Sequence, residues 1–301
     1  QMAISRAQLA KELEPGLAAL FGMEYDRYDQ EHAEIFETES SDRAFEEEVM
    51  LTGFATAPTK AEGSSLTFDT ATEAYTARYS HETIALAFAL TEEAMEDNLY
   101  DRLGARYTRA LARSMSNTKQ VKAANVLNNG FSVAGGDGVS LLNTAHPLAF
   151  GGTFANRPTT DADLNETSLE DALISISTFV DERNLKVALR GMKLIVPPQL
   201  VFVAERLLES QLRPGTADND INAVRSTGMI PEGYTVNHFL TDSDAWFVKT
   251  DAPNGFKNYQ RSPLRTSMEG DFTTGNVRFK ARERYSFGYS DPRCVFGTTG
   301  A

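Results

Sequence analysis

Cysteine is nearly absent from this sequence: Cys294 is the only one in 301 residues. A lone thiol excludes an internal disulfide and any zinc cluster built from several cysteines. Long apolar runs are missing as well. None approaches the ~20 residues a helix needs to span a bilayer. Gln1-Met2-Ala3-Ile4-Ser5 has no basic stretch followed by an apolar one, so no secretory signal is expected. Positive charge is scarce, with 29 Lys and Arg against 42 Asp and Glu and a formal net charge of −13. That balance opposes nonspecific binding to DNA phosphates or anionic lipid, though it permits a local basic patch. The familiar catalytic signatures are missing too. There is no G-x-x-x-x-G-K-[ST] phosphate loop and no G-x-S-x-G elbow, and His81-Glu82 is followed by Ala85 where a zinc helix needs its second histidine. Gly135-Gly136-Asp137-Gly138 does not fit the dinucleotide fingerprint and reads as a turn.

A few residues still invite a chemical reading. His146, before Pro147, is a candidate ligand or base, but His32, His81 and His238 lie far from it in sequence. The pairs Asp161/Asp163, Asp218/Asp220 and Asp242/Asp244 could supply oxygens to a divalent ion, yet Asp also favours loops for backbone reasons. Trp246 and the aromatic-rich C-terminal strands are either a binding face or a sheet core. On this footing no catalytic, cofactor-binding or metal-binding residue is assigned, no cofactor is expected, and the chain is read as not an enzyme.

What the sequence does contain is the composition of a folded, water-soluble protein: 41% apolar, 10% aromatic and 24% charged residues. A compact monomer of this mass would expose roughly 12,600 Å2. The charge is uneven. Glu24 to Glu48 holds eleven acidic residues against Arg27 and Arg43, a net of −9. This is either a solvated helical face or an arm lying on a basic surface of another subunit. From Asp101 to Lys122 the balance reverses, with Arg102, Arg106, Arg109, Arg113, Lys119 and Lys122.

The basic stretch lies on the clearest periodicity. Met95, Leu99, Leu103, Tyr107, Leu111 and Met115 recur every four residues and predict an α-helix. Capped by Thr91, with Glu92 and Glu93 in its first turn, and stopped at Asn128-Asn129-Gly130, it would run about 38 residues, or roughly 57 Å. Ser116-Asn117 is a candidate break. Upstream, residues 49–90 alternate as strands around the polar tip Thr59-Lys60-Ala61-Glu62-Gly63-Ser64-Ser65, a long β-hairpin that needs a partner surface. After Gly130 a Gly/Asp/Asn-rich connection runs to about Asn165, long enough to be functional or an interface. Then come a helix capped by Thr167 or Ser168 and ending near Asn184, the short buried strand Lys193-Leu194-Ile195-Val196, a helix to about Ser210, and short strands from Thr235 onward. With no regular βαβ alternation, the fold class is α+β.

In this order the pieces resemble the major capsid protein of tailed double-stranded DNA bacteriophages, with the Hong Kong phage-type fold. The resemblance covers about 50–301. It rests on Lys60-Ala61-Glu62-Gly63, Phe88-Ala89-Leu90-Thr91-Glu92-Glu93 and Asp137-Gly138-Val139-Ser140-Leu141-Leu142-Asn143-Thr144-Ala145-His146-Pro147. Leu194-Ile195-Val196-Pro197-Pro198, Leu240-Thr241-Asp242-Ser243-Asp244-Ala245-Trp246-Phe247 and Glu283-Arg284-Tyr285-Ser286-Phe287-Gly288 complete it.

The resemblance implies an N-terminal arm over 1–48, an extended loop (β-hairpin) over 49–90, and a spine helix with a peripheral-domain segment over 91–167. It implies an axial domain over 168–250 and return strands of the peripheral domain over 251–301. Pentamers and hexamers would build an icosahedral phage head enclosing double-stranded DNA without sequence-specific binding. The partners would be other copies of the chain, portal and scaffolding proteins and decoration proteins, with no membrane; assembly would occur in the bacterial host cytoplasm. Some members join subunits by a Lys–Asn isopeptide bond, for which Lys60, with Asn258 or Asn276, is a candidate. The short arm implies a separate scaffolding protein or removal of a leader before Gln1. A shell subunit projects arms and hairpins, so its surface should exceed the compact figure. The alternatives are an encapsulin-like nanocompartment shell of the same fold, or a metal-dependent hydrolase using His146 with an Asp pair.

Overall fold

The periodic stretch forms the helix around which half the molecule is arranged. A computed structural model of the chain describes residues 6–91, 93, 100–213, 220–271 and 275–301. In it a first helix, α1 (Arg6–Asp26), packs along a second, α2 (Tyr100–Asn128), whose 29 residues span about 44 Å. Helix α2 passes Ser116-Asn117 without the break that the sequence allowed. Met95, Leu99 and Glu92, at its expected start, lie outside the described residues. Leu111 and Met115 are buried as expected, but Tyr107 is 47% exposed. A strict period of four drifts off a face whose true repeat is 3.6. The places it misses are taken by Ala112, Ala123, Ala124 and Leu127, and by the polar Thr108, Ser116, Lys119 and Gln120, all buried.

Beneath the two helices lies a four-stranded sheet in the order β1 (Glu37–Ser40), β10 (Phe256–Gly270), β11 (Val277–Tyr289), β4 (Glu82–Leu90). Strand β11 turns Phe279, Ala281 and Tyr285 towards the helices, where Phe279 and Ala281 pack with Phe21, Leu111 and Met115. A second four-stranded sheet runs β12 (Val295–Thr298), β9 (Trp246–Thr250), β7 (Gly191–Val196), β8 (Tyr234–Val236). It packs with α3 (Glu166–Ser177) and α4 (Val201–Glu209) into the largest core, which holds Trp246, Leu169, Ile176 and Val196. A third cluster, including Leu127, Leu142, Ile195, Phe247 and Phe256, joins the two halves. The overall α+β architecture agrees with the sequence reading.

Four details differ from it. Helix α3 is capped by Asn165, not by Thr167 or Ser168. Asn165 accepts from the Ser168 amide at 2.9 Å while Ser168 Oγ accepts from the Asn165 amide at 3.0 Å, and the helix stops at Ser177. The hairpin starts earlier than residue 49: β2 (Phe45–Leu51) pairs with β3 (Glu73–Ser80). The shift of face after His81 marks a change of sheet, because β4 leaves the hairpin and pairs antiparallel with β11. The segment expected as an extended arm contains the helix α1 and strands β1 and β2, with Ile35 and Phe36 buried in the joining core.

Candidate assembly surfaces

The segment expected as an extended loop is anchored firmly and reaches out bare. At its root, the Glu48 carboxylate accepts hydrogen bonds from Lys257 Nζ, Ser290 Oγ and Tyr259 Oη, the last at 2.6 Å. Burial pushes this carboxyl up, but the three donors outweigh burial and hold it below the ordinary carboxylate range. Tyr79 Oη lies 2.5 Å from Ser290 Oγ, and its ring packs edge-on against Tyr259. Further out, Thr52 and Thr72 close the ladder, and Asp69 accepts from the Ala55 amide at 2.8 Å. Arg183, stacked 3.7 Å over the Phe150 ring, donates to Thr70 O at 2.8 Å and pairs with Asp69. Beyond these ties, residues 53–71 form no strand. Phe54, Leu66 and Phe68 stand exposed there, Phe68 at 92%. Large apolar side chains left bare in a group mark a contact surface.

The acidic segment finds its partners within its own chain. Glu31 takes both the backbone amide of His238, at 2.9 Å, and its Nδ1, at 2.7 Å. Glu34 pairs with Lys193, Glu39 and Glu48 with Lys257, and Glu47 with Arg78. Gln120 on α2 clasps the same segment, accepting from the His32 amide and donating to Asp29 O, each at 3.0 Å.

The expected basic stripe on α2 divides in two. Lys119 is buried and pairs with Glu283 at 3.2 Å, while Lys122 pairs with Glu82. Arg106, Arg109 and Arg113 are exposed on the outer face and have no ion pair among the described residues. Arg102 lies in α2, but nothing is described of its side chain.

The residues weighed as catalytic are structural. His146 is fully buried, stacked on Phe154. Asn156 Nδ2 donates to the carbonyls of Leu141 and Pro292 at 2.7 and 2.9 Å. This turns its Oδ1 towards His146 Nε2, 3.0 Å away, and makes that nitrogen the donor. Nδ1 faces the Asp137 carboxyl at 2.6 Å. The network pins the loop-rich connection that includes β5 (His146–Pro147) and β6 (Thr153–Phe154), and it engages both ring nitrogens of His146. Asp161 is held by Arg157 and Thr298, Asp163 accepts from the Ala301 amide, and Asp242 caps the turn at Asp244; Asp218 lies outside the described residues. Among the described residues no group of three or more His, Cys, Asp or Glu could hold a metal ion. Trp246 is buried, its Nε1 donating to Ala162 O at 3.0 Å. Cys294 is buried. Asn258 is 1% exposed and bonded to Thr38, which withdraws it from solvent, whereas Lys60 is exposed. Sequence reasoning missed Gln120, Arg183 and Glu48. All three are polar residues whose partners are distant in sequence.

The sequence matches the family model described as "Phage capsid protein" over residues 73–297. No curated protein sequence matches it. Among solved structures, the fold is similar to the capsid of an empty GTA particle (TM-score 0.58, 12% identity, 90% of each chain covered). It is similar to a virus-like particle from Pyrococcus furiosus (TM-score 0.56, 10% identity, 94% of this chain and 97% of that one). Mycobacterium phage Che8 gives a TM-score of 0.54 at 14% identity, covering 90% of this chain and 92% of the other.

Proposed function

Because the chain belongs to the phage capsid protein family, matching its model over residues 73–297, we propose that copies of it join as pentamers and hexamers into an icosahedral head that encloses double-stranded DNA. The protein is a structural capsid protein of the virion shell, not an enzyme. Residues 1–48 serve as the N-terminal arm, 49–90 as the extended loop, and 91–167 with 251–301 as the peripheral domain. Residues 168–250 serve as the axial domain at capsomer centres. Portal and scaffolding proteins complete the assembly in the host cytoplasm, and decoration proteins are further partners in the same scheme.

The observation that carries this reading is surface. The chain exposes 16,918 Å2, about a third more than the roughly 12,600 Å2 of a compact monomer of its mass. Many weak contacts spread over such a surface add up to one stable closed shell. The family match favours a phage head over a nanocompartment. Negative-stain electron microscopy of the purified protein tests the reading: uniform shells or capsomer rings are expected, and a monodisperse globular monomer at high concentration overturns it.

A further inference from the structure

Strand β11 alternates strictly over its first half. Val277, Phe279, Ala281 and Glu283 are buried beneath the helices, while Arg278, Lys280 and Arg282 are exposed on the opposite face, followed by the half-buried Arg284. Side chains on one face of a strand recur about every 6.7 Å, so this row is roughly 20 Å long. Its neighbours keep it open. On the β4 side, Arg278, Lys280, Arg282 and Arg284 lie opposite Ala89, Ala87, Ala85 and Thr83, none of which rises above the cations. On the β10 side, Arg265 lies opposite Arg282 and adds a further exposed cation, Ser267 lies opposite Lys280, and the exposed Glu269 lies opposite Arg278 at the end of the row. Higher on the same face Gly288 sits under the Tyr79 ring, so the hairpin covers the sheet there and leaves the row below it uncovered.

Little within the chain neutralises this row. Arg278 pairs with Asp271 at 2.7 Å, beside a groove of about 480 Å3 that Lys280 and Glu269 also line. Lys280, Arg282 and Arg265 have no ion pair among the described residues. At the upper end the Nε donors of Arg261 and Arg284 are buried without an acceptor. Both positive charges bear on His81, whose imidazole is pushed down first by burial and then by Arg284. The molecule as a whole carries −13, yet one sheet face concentrates cations.

We propose that this face binds the sugar–phosphate backbone of double-stranded DNA. Guanidinium forks match phosphate oxygens, and the low alanine flank lets a duplex backbone approach closely. The face bears no aromatic residue on which an unpaired base could stack, and its cations stand on a sheet surface with no helix or ribbon to enter a groove, so the contact is to duplex phosphates, which carry no sequence information. An acidic protein segment fits less well. The acidic stretch of this chain is already tied to its own Lys193, Lys257 and His238. The inference rests on the shell reading and deepens it: a negative shell keeps packaged DNA off most of its surface and touches it at one short row.

The test uses the full chain, kept unassembled in dilute solution, and a fluorescent duplex of about 30 base pairs. With three to four phosphates engaged, binding should weaken on the order of a hundredfold between about 50 and about 200 mM salt. The double variant Lys280→Gln/Arg282→Gln should lower the log–log salt slope by about two. The pair Arg106→Gln/Arg109→Gln on α2 should leave it unchanged, and Lys280→Arg/Arg282→Lys should retain it. Absence of duplex binding, an unchanged slope in the β11 variant, or equal loss in the α2 variant overturns the proposal. So does a β11 variant that no longer forms particles when DNA is absent, because the face then belongs to a neighbouring subunit. Failure of the shell reading is distinct, since it shows as no particles from the unaltered chain whatever its DNA binding.

Discussion

Two buried ionisable residues define the chemistry beneath α2. His32 is 4% exposed, and burial, then the Lys119 charge, lowers its pKa from 6.5 to about 4. The unfolded chain therefore binds more protons than the folded one between these values. Stability from this residue is complete above about pH 6.5 and is lost as the pH falls towards 4, by about 3 kcal/mol. Denaturant titrations at several pH values should show that slope shrinking in His32→Leu relative to the unaltered chain. Glu283 is fully buried, and burial raises its pKa although Lys119 opposes the shift. Lys119→Met should cost about 3–5 kcal/mol by stranding the carboxylate, and Lys119→Met/Glu283→Leu should recover most of that loss. A double variant no more stable than the single one sinks the argument. Lys119 was illegible in the sequence as a core residue because it read as part of the basic stretch, although Met115 and Ala123, four residues to either side, are buried; only the fold brings Glu283, far along the chain, beneath it.

At the scale of elements, sequence patterning located α2 by its apolar face, β7 by the buried run Leu194-Ile195-Val196, and the hairpin by alternation alone, since β2 half-buries Glu46, Glu48 and Met50 and leaves Phe45, Val49 and Leu51 exposed. It missed what polar contacts decide. The cap of α3 moved to Asn165 through a reciprocal bond with Ser168. The alternation of β4 could not say which strand it pairs with. The connection after Gly130 has no periodicity, since Asn156 orders it through side-chain bonds while Leu141, Leu142, Leu148 and Phe154 anchor it in the cores at irregular spacing. Asn156→Ala leaves several buried partners unsatisfied and should lower stability by at least about 2 kcal/mol. On α2, Leu127→Ala should cost about 2–5 kcal/mol, whereas Arg109→Gln on the exposed face should stay within about 0.5 kcal/mol. Urea melts of these three variants check the ranking, and comparable losses at Leu127 and Arg109 would contradict the assignment of the two faces.

For the whole molecule, excess surface and local stability are separable properties. The hydrophobic clusters among the described residues hold the chain together without any help from residues 56–68, none of which belongs to them. The bonds from the Ala55 amide to Asp69 and from Arg183 to the Thr70 carbonyl close the loop at its base. Replacing 56–68 by Gly-Gly keeps those bonds and removes Leu66 and Phe68, which are 67% and 92% exposed. Loop length enters stability only logarithmically. The shortened chain should therefore melt within about 4 °C of the original, a shift corresponding to about 1 kcal/mol for a protein of this size. What it should lose is the ability to form shells, because the deleted side chains lack a partner in their own chain and can be covered only by another. Calorimetry paired with negative-stain images separates the two properties. A shortened chain that unfolds easily makes the loop part of the fold, one that still forms normal shells makes it dispensable, and one that is stable but unassembled places its work between subunits.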